Sequence, residues 1–214
     1  MYPRFCLCLL FLFLCAGCQP GVTGSDHPET EKRTFDEFHS IRVSGNVKLT
    51  VATGKEEQEV EFTFDDNLMD LVKAEVSDGT LHVSTNELWS SELGLTVTVK
   101  TPDIRKIEAT KASKISMREL DAEQLELVLS RSSTTNISGK VNSFTLTGSH
   151  ACNATLIDLR CETATVDLSG ASYAIIFATE KVTASASEAS TLDVVGNPEE
   201  LDAKPTGASK INRK

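Results

Sequence analysis

A four-residue signature recurs six times in the second half of this chain, and it constrains the fold more than any other feature. The copies are Thr110-Lys111-Ala112-Ser113, Ser130-Arg131-Ser132-Ser133, Ser149-His150-Ala151-Cys152, Ser169-Gly170-Ala171-Ser172, Ser187-Glu188-Ala189-Ser190 and Thr206-Gly207-Ala208-Ser209, spaced 18–20 residues apart. Each reads hydroxyl, any residue, small residue, then Ser or Cys. A unit this short cannot enclose a core of its own, so its copies must stack as a solenoid. Before each signature apolar residues alternate with period two: Leu125, Leu127, Leu129, then Phe144, Leu146, Gly148, then Ala164, Val166, Leu168. After it they return as Ile115 and Met117, Ala174 and Ile176, Leu192 and Val194. Period two is the mark of a strand with one buried face, which rules out an α-solenoid. A propeller would need about twice the period. The expectation is an all-β fold: a right-handed parallel β-helix of about six coils, ~4.8 Å apart, each a strand, a tight corner and a second strand. Aligned hydroxyls from Thr110 to Thr206 are expected to form a continuous ladder along the corners.

Before the repeats the pattern changes. Residues 35–103 carry strand signals around Phe38, Ile41 and Val43, around Val47, Leu49 and Val51, over Val60–Phe64 and over Leu95–Val99. Asp65-Asp66-Asn67 offers an N-cap to a short helical turn, and Asp78-Gly79 supplies the positive φ angles of a hairpin turn. Ser44-Gly45-Asn46 echoes the repeat. An open coil exposes strand edges and core, so this stretch is expected to be a mostly antiparallel N-terminal cap on repeat coils that occupy 104–214. Together, 35–214 form one domain. Residues 18–34 hold Pro20, Gly21, Gly24 and Pro28 among acidic residues with no apolar period, and read as a flexible tether. Residues 1–17 read as a leader: Arg4 is followed by an apolar run from Cys6 to Leu14 that is too short to span a bilayer.

That leader ends Leu14-Cys15-Ala16-Gly17-Cys18, which resembles the lipobox of bacterial lipoproteins, with Cys15 where that motif usually has Leu. The resemblance implies a lipoprotein signal peptide over 1–17, lipidation of Cys18 with palmitate among its acyl chains, and a partner in the membrane itself. It implies a place at the bacterial outer membrane, facing the periplasm or the cell surface. With the leader removed and Cys18 acylated, Cys152 and Cys161 remain. An exported pair could bridge. However, opposed sheets lie ~10 Å apart and bridged Cα atoms need less than ~7 Å, which favours two free buried thiols.

The formal net charge is -10, so a phosphate-rich partner such as nucleic acid is not expected. Past the leader there is no His-x-x-x-His or Cys-x-x-Cys spacing, no Gly-x-Ser-x-Gly elbow and no phosphate loop. No catalytic, metal or cofactor residue is therefore nominated. What the repeat does align is an outward column pair, Thr145, Thr165 and Thr183 beside Thr147, Asp167 and Ser185. A flat hydroxyl array of this kind matches repetitive ligands such as glycans, although Thr is also simply a good exposed strand residue. Trp89, the one Trp, is either an exposed binding tip or a plug over the core.

Three segments together resemble a known family: Phe38-His39-Ser40-Ile41-Arg42-Val43-Ser44-Gly45, Asp66-Asn67-Leu68-Met69 and Val76-Ser77-Asp78-Gly79-Thr80-Leu81, followed by the Ser-Gly-Ala-Ser coils. They are similar to the "putative auto-transporter adhesin head GIN domain" proteins of Bacteroidetes-type bacteria, over about residues 35–214. The resemblance implies a β-helical fold, an exported protein and no catalytic residues to carry over. The expected function is that of a non-enzymatic cell-envelope lipoprotein, adhesin-like, binding a glycan or an envelope protein, or structural. The rival expectation is an envelope carbohydrate-active enzyme, because β-helices also host such sites.

Overall fold

The computed structural model describes residues 21–55, 57–85 and 88–214; the leader and Cys18 lie outside the described residues. The chain is all-β, a mostly parallel β-solenoid with an antiparallel N-terminal region. Each repeat signature is a corner between two walls. Four long strands, Lys114–Ser130, Thr134–Ser149, Asn153–Leu168 and Tyr173–Ala186, each leave one corner along the first wall, bend, and enter the next corner along the second. They pair in parallel and in the register the repeat dictates, with Leu127 opposite Leu146 and both fully buried.

The corner geometry explains the signature. Lys111 and Ala112, Arg131 and Ser132, His150 and Ala151, and Gly170 and Ala171 all adopt positive φ. That conformation favours small or polar residues and reverses the chain within two positions. The fourth residue then points inward: Ser113, Ser133, Ser172 and Ser190 are buried. A buried hydroxyl needs a partner. Ser113 Oγ donates to the Thr110 carbonyl at 2.8 Å, Ser133 Oγ to Ser130 at 2.7 Å and Ser172 Oγ to Ser169 at 2.6 Å, so each Ser closes its own corner. The expected continuous ladder of first-position hydroxyls is not what forms. Ser130 Oγ donates to Thr110 Oγ1 at 2.9 Å, while Ser187 and Thr206 turn to backbone carbonyls instead. Carbonyls left by the bend compete for those hydroxyls, and hydrogen bonds from the fourth-position Ser carry the corner.

The parallel stack reaches further toward the N-terminus than the signature does. Ser40–Ser44 and Lys48–Ala52 form a complete coil around Ser44-Gly45-Asn46-Val47, pairing with Lys106–Thr110 on the second wall and with Lys114–Met117 on the first. On its other side lies a second coil, Thr80–Thr85 and Thr96–Lys100, again parallel. Antiparallel strands finish the end: Val72–Ser77 on one wall across the Asp78-Gly79 turn, and Glu59–Asp65 then Pro28–Arg33 on the other. Asp65 precedes a short 3-10 helix, Asp66–Leu71, but its side chain does not cap it.

The expected tether over 18–34 is corrected in its described part. Val22–Thr23 pairs with Trp89–Ser90, and Pro28–Arg33 is the outermost strand of the first wall. That strand is exposed on both faces along most of its length, so it has no apolar period to read. Backbone pairing holds it, helped by Lys32 against Glu59 and by the Arg33 guanidinium 4.9 Å over the Phe62 ring.

The core between the walls tapers. Phe38, Phe62, Phe64 and Leu68 fill the N-terminal end, while Ala174, Ala178, Ala184 and Ala186 line the later coils. Gly148 belongs to this jigsaw: a Cβ there would lie 2.7 Å from both Cys152 Sγ and Leu168 Cδ2. Cys152 and Cys161 are free and buried. Burial pushes both thiols up, Cys161 to about 12 while its Sγ donates to the Phe177 carbonyl at 3.0 Å, so neither is a reactive nucleophile.

Candidate binding face

The second wall turns one face to the core and one to solvent, and its solvent face is a grid with two side-chain columns. The first runs Ser40, Lys106, Glu126, Thr145, Thr165, Thr183, Asp202; the second runs Arg42, Glu108, Val128, Thr147, Asp167, Ser185, Lys204. All six sequence-nominated residues lie side by side at the centre of this grid, in direct register across three successive coils. None of the six is buried. Only one internal hydrogen bond links them, Ser185 Oγ donating to Asp167 Oδ1 at 2.9 Å. Asp167 is the one carboxyl-bearing residue of the patch.

Apart from Asp167 the patch carries no charged side chain, and the other charges of the same face are segregated to its ends and paired there. Toward the N-terminal side Arg42 Nε meets Glu108 at 2.5 Å, and Lys106 Nζ bridges Glu126 at 2.8 Å and Glu108 at 3.1 Å. Burial pushes the Glu108 carboxyl up, but Arg42 and Lys106 outweigh it and hold it below the usual carboxylate range. Toward the other end Lys181 meets Glu200 at 2.9 Å and Lys204 meets Asp202 at 3.0 Å.

A feature missed by sequence reading adjoins the patch. At the corner edge of the same wall a cleft of about 380 Å³ is lined by Arg42, Glu108, Val128, Ser130, Arg131 and His150. Besides Arg42, its basic side chains Arg131 and His150 come from the second position of the signature, which is Lys111, Arg131 and His150 in three successive copies. In the sequence that column reads as free to vary, yet stacking the corners gathers its basic side chains on one edge. A second missed pair is His39 Nδ1 and Asp103 Oδ1, 2.5 Å apart, with Glu37 3.5 Å from Nε2. Its neighbour Thr101 donates its hydroxyl to the Asp103 carbonyl at 3.0 Å. Another cleft, of about 450 Å³, lies on the narrow bend side, between Asp103, Arg105, Asp121 and Glu123. Among the described residues no group of three or more His, Cys, Asp or Glu is placed to hold a metal ion.

Trp89 is no free binding tip. Its ring packs edge-on against Phe64 with centroids 4.9 Å apart, and its Nε1 donates to Thr85 Oγ1 at 2.9 Å.

Comparison with known proteins places this architecture. Residues 37–198 match the family described as "Putative auto-transporter adhesin, head GIN domain". No curated protein matches the chain. Among solved structures, a "putative adhesin" from Bacteroides fragilis superposes with a TM-score of 0.71 at 18% identity, over 91% of this chain and 100% of that one. A "putative lipid binding protein" from Parabacteroides distasonis gives 0.59 at 13% identity, over 90% and 99%. A "putative adhesin" from Parabacteroides merdae gives 0.54 at 18% identity, over 90% and 98%. At these identities the likeness is one of fold.

Proposed function

This chain belongs to the "Putative auto-transporter adhesin, head GIN domain" family, and from that premise we propose that it is a non-enzymatic binding protein of the bacterial envelope, anchored through lipid on Cys18. The observation that carries the binding reading is the grid of Thr145, Thr147, Thr165, Thr183 and Ser185 around the lone carboxylate of Asp167, in register on the solvent face of the second wall with the neighbouring charges paired away. Equally spaced hydroxyls at the inter-coil distance of ~4.8 Å suit a ligand that itself repeats and offers hydroxyls, such as a glycan. Unpaired hydroxyls cost little to desolvate compared with ionised groups, so such a face binds without first breaking ion pairs. The adjoining Arg131 and His150 cleft would favour a ligand with an occasional carboxylate or sulfate.

Screening residues 21–214 against envelope and host glycans and envelope proteins tests this. A binder of the wild type should lose at least about tenfold in affinity with Thr165→Ala combined with Asp167→Ala, corresponding to roughly 1.4 kcal/mol. An exposed substitution in the paired-charge zone, such as Lys204→Ala, should leave binding unchanged. Polysaccharide turnover by the wild type, abolished in Asp167→Ala, would replace this reading with the carbohydrate-active enzyme. The anchor has its own test: labelled palmitate should enter the wild type in a bacterial host and not Cys18→Ala.

A further inference from the structure

We propose that Val22 and Leu88, at the antiparallel end of the solenoid, form a tip that rests in the bilayer interface and holds that end of the molecule against the membrane. The inference rests on the lipid anchor at Cys18. It starts from how soon the chain becomes structured after that residue. Gly21 is three residues beyond Cys18, and three extended residues span at most ~10 Å. From there the chain is already docked: the Val22 amide donates to the Leu88 carbonyl at 3.0 Å and the Gly24 amide to Ser90 at 2.8 Å. Val22 and Thr23 pair in parallel with Trp89 and Ser90. A lipid on Cys18 would therefore hold this part of the fold within that distance of the membrane surface.

What arrives there is apolar. Among the described residues three large hydrophobics are exposed, and two of them, Val22 at 38% and Leu88 at 76%, lie on the two backbone-bonded segments at this point. Trp89 follows directly, half-buried with its ring on Phe64. The docking is also rigidly braced. The buried Asp65 carboxylate accepts the Asp26 amide at 2.7 Å and the Ser91 hydroxyl, tying both segments of the tip to one point. A Cβ on Gly24 would lie 2.6 Å from that carboxylate, and one on Gly21 2.7 Å from the Leu88 carbonyl, so the close approach depends on two glycines. The net charge of -10 disfavours attraction to anionic headgroups, which leaves apolar contact as the interaction. One consequence is orientation: the later coils and their Thr grid stand away from the bilayer.

The test uses the full lipoprotein with Leu88→Cys, labelled on that thiol with an environment-sensitive fluorophore and reconstituted into protein-free phospholipid vesicles. Cys152 and Cys161 are 2% and 4% exposed and stay unlabelled in the native fold. The label at 88 should shift to the blue and be several-fold less accessible to an aqueous quencher than the same label at Lys210→Cys. Equal quenching at the two positions, with palmitate incorporation intact, overturns the tip while leaving the anchor standing. Absence of palmitate removes the anchor and the proposal together. Shielding seen in native envelopes but not in vesicles would assign the tip to a protein partner and overturn it too.

Discussion

Thr135 occupies an inward position of the first wall, between Ile115 and Ala154 in the adjacent coils. It is 4% exposed, and its hydroxyl finds no hydrogen-bond partner among the described residues. Ser113, Ser133 and Ser172 show what the fold requires of a buried hydroxyl: each of the three is aimed at a carbonyl three residues back. Thr135 sits two residues past its corner, where the strand's carbonyls are engaged in the ladder. Thr135→Val keeps the shape and removes the unpaired group. It should therefore stabilise the protein by about 1 kcal/mol, read as a higher midpoint in chemical denaturation with an unchanged slope. A loss of stability would mean that the hydroxyl has a partner after all. Sequence alone showed Thr135 as one more polar residue in a Thr-rich chain. Only the register, which places it in the column of Ile115, marks it as buried.

At the scale of elements, the strand that closes the far end depends on one carboxylate. Lys210–Arg213 pairs with Thr191–Val195, and between them Asp193 accepts hydrogen bonds from Lys214 Nζ at 2.6 Å, Asn212 Nδ2 at 2.8 Å and Tyr173 at 3.1 Å. Arg213, although exposed, donates to Asn197 Oδ1 and to the Pro198 carbonyl. Burial pushes the Asp193 carboxyl up, but the Lys214 ammonium and the hydrogen bonds from Asn212 and Tyr173 outweigh it, leaving the group below its ordinary range. A lowered carboxyl binds fewer protons folded than unfolded. Its stabilisation is therefore present above the unfolded value of about 3.9 and is lost as pH falls through the folded one. Protection of the Lys210–Arg213 amides, taken relative to the intrinsic exchange rate at each pH, should fall several-fold on acidification below about pH 4, and Asp193→Asn should produce the same loss of protection at neutral pH. Protection in Thr134–Ser149 should not change in either case. The basic residues of this strand are legible in the sequence as a charged edge; what was not legible is that two of them have partners across the coil. The strand Pro28–Arg33 teaches the complementary point. Its side chains carry no pattern because both faces meet solvent, and backbone pairing leaves no trace in composition.

For the molecule as a whole, sequence order and spatial order part company. The repeat signature begins at Thr110, and a reader of the sequence divides the chain into a cap and a stack at residue 103. The stack itself was legible, because six aligned corners leave little freedom. The division was not, because the coil Ser40–Ala52 carries Val47 where the later corners carry Ser or Cys, and so escapes the signature. In space that coil lies between the coil of Thr80–Lys100 and the first repeat coil. Its Ile41 and Val43 stack on Ile107 and Ala109, and its Leu49 and Val51 on Ile115 and Met117, all of them buried. Neighbouring coils stabilise one another in a solenoid, so removing one exposes the core and the backbone of the next. Residues 104–214 should therefore fail to fold as a fragment, appearing as aggregate or as a chain without a cooperative transition. Residues 21–214 should unfold in a single cooperative step, and supplying residues 21–103 as a separate chain should rescue the fragment by restoring the Ser40–Ala52 coil. A stable, monomeric 104–214 would show that the interface between the first coil and the repeats contributes little, and that the boundary visible in the sequence is an energetic one.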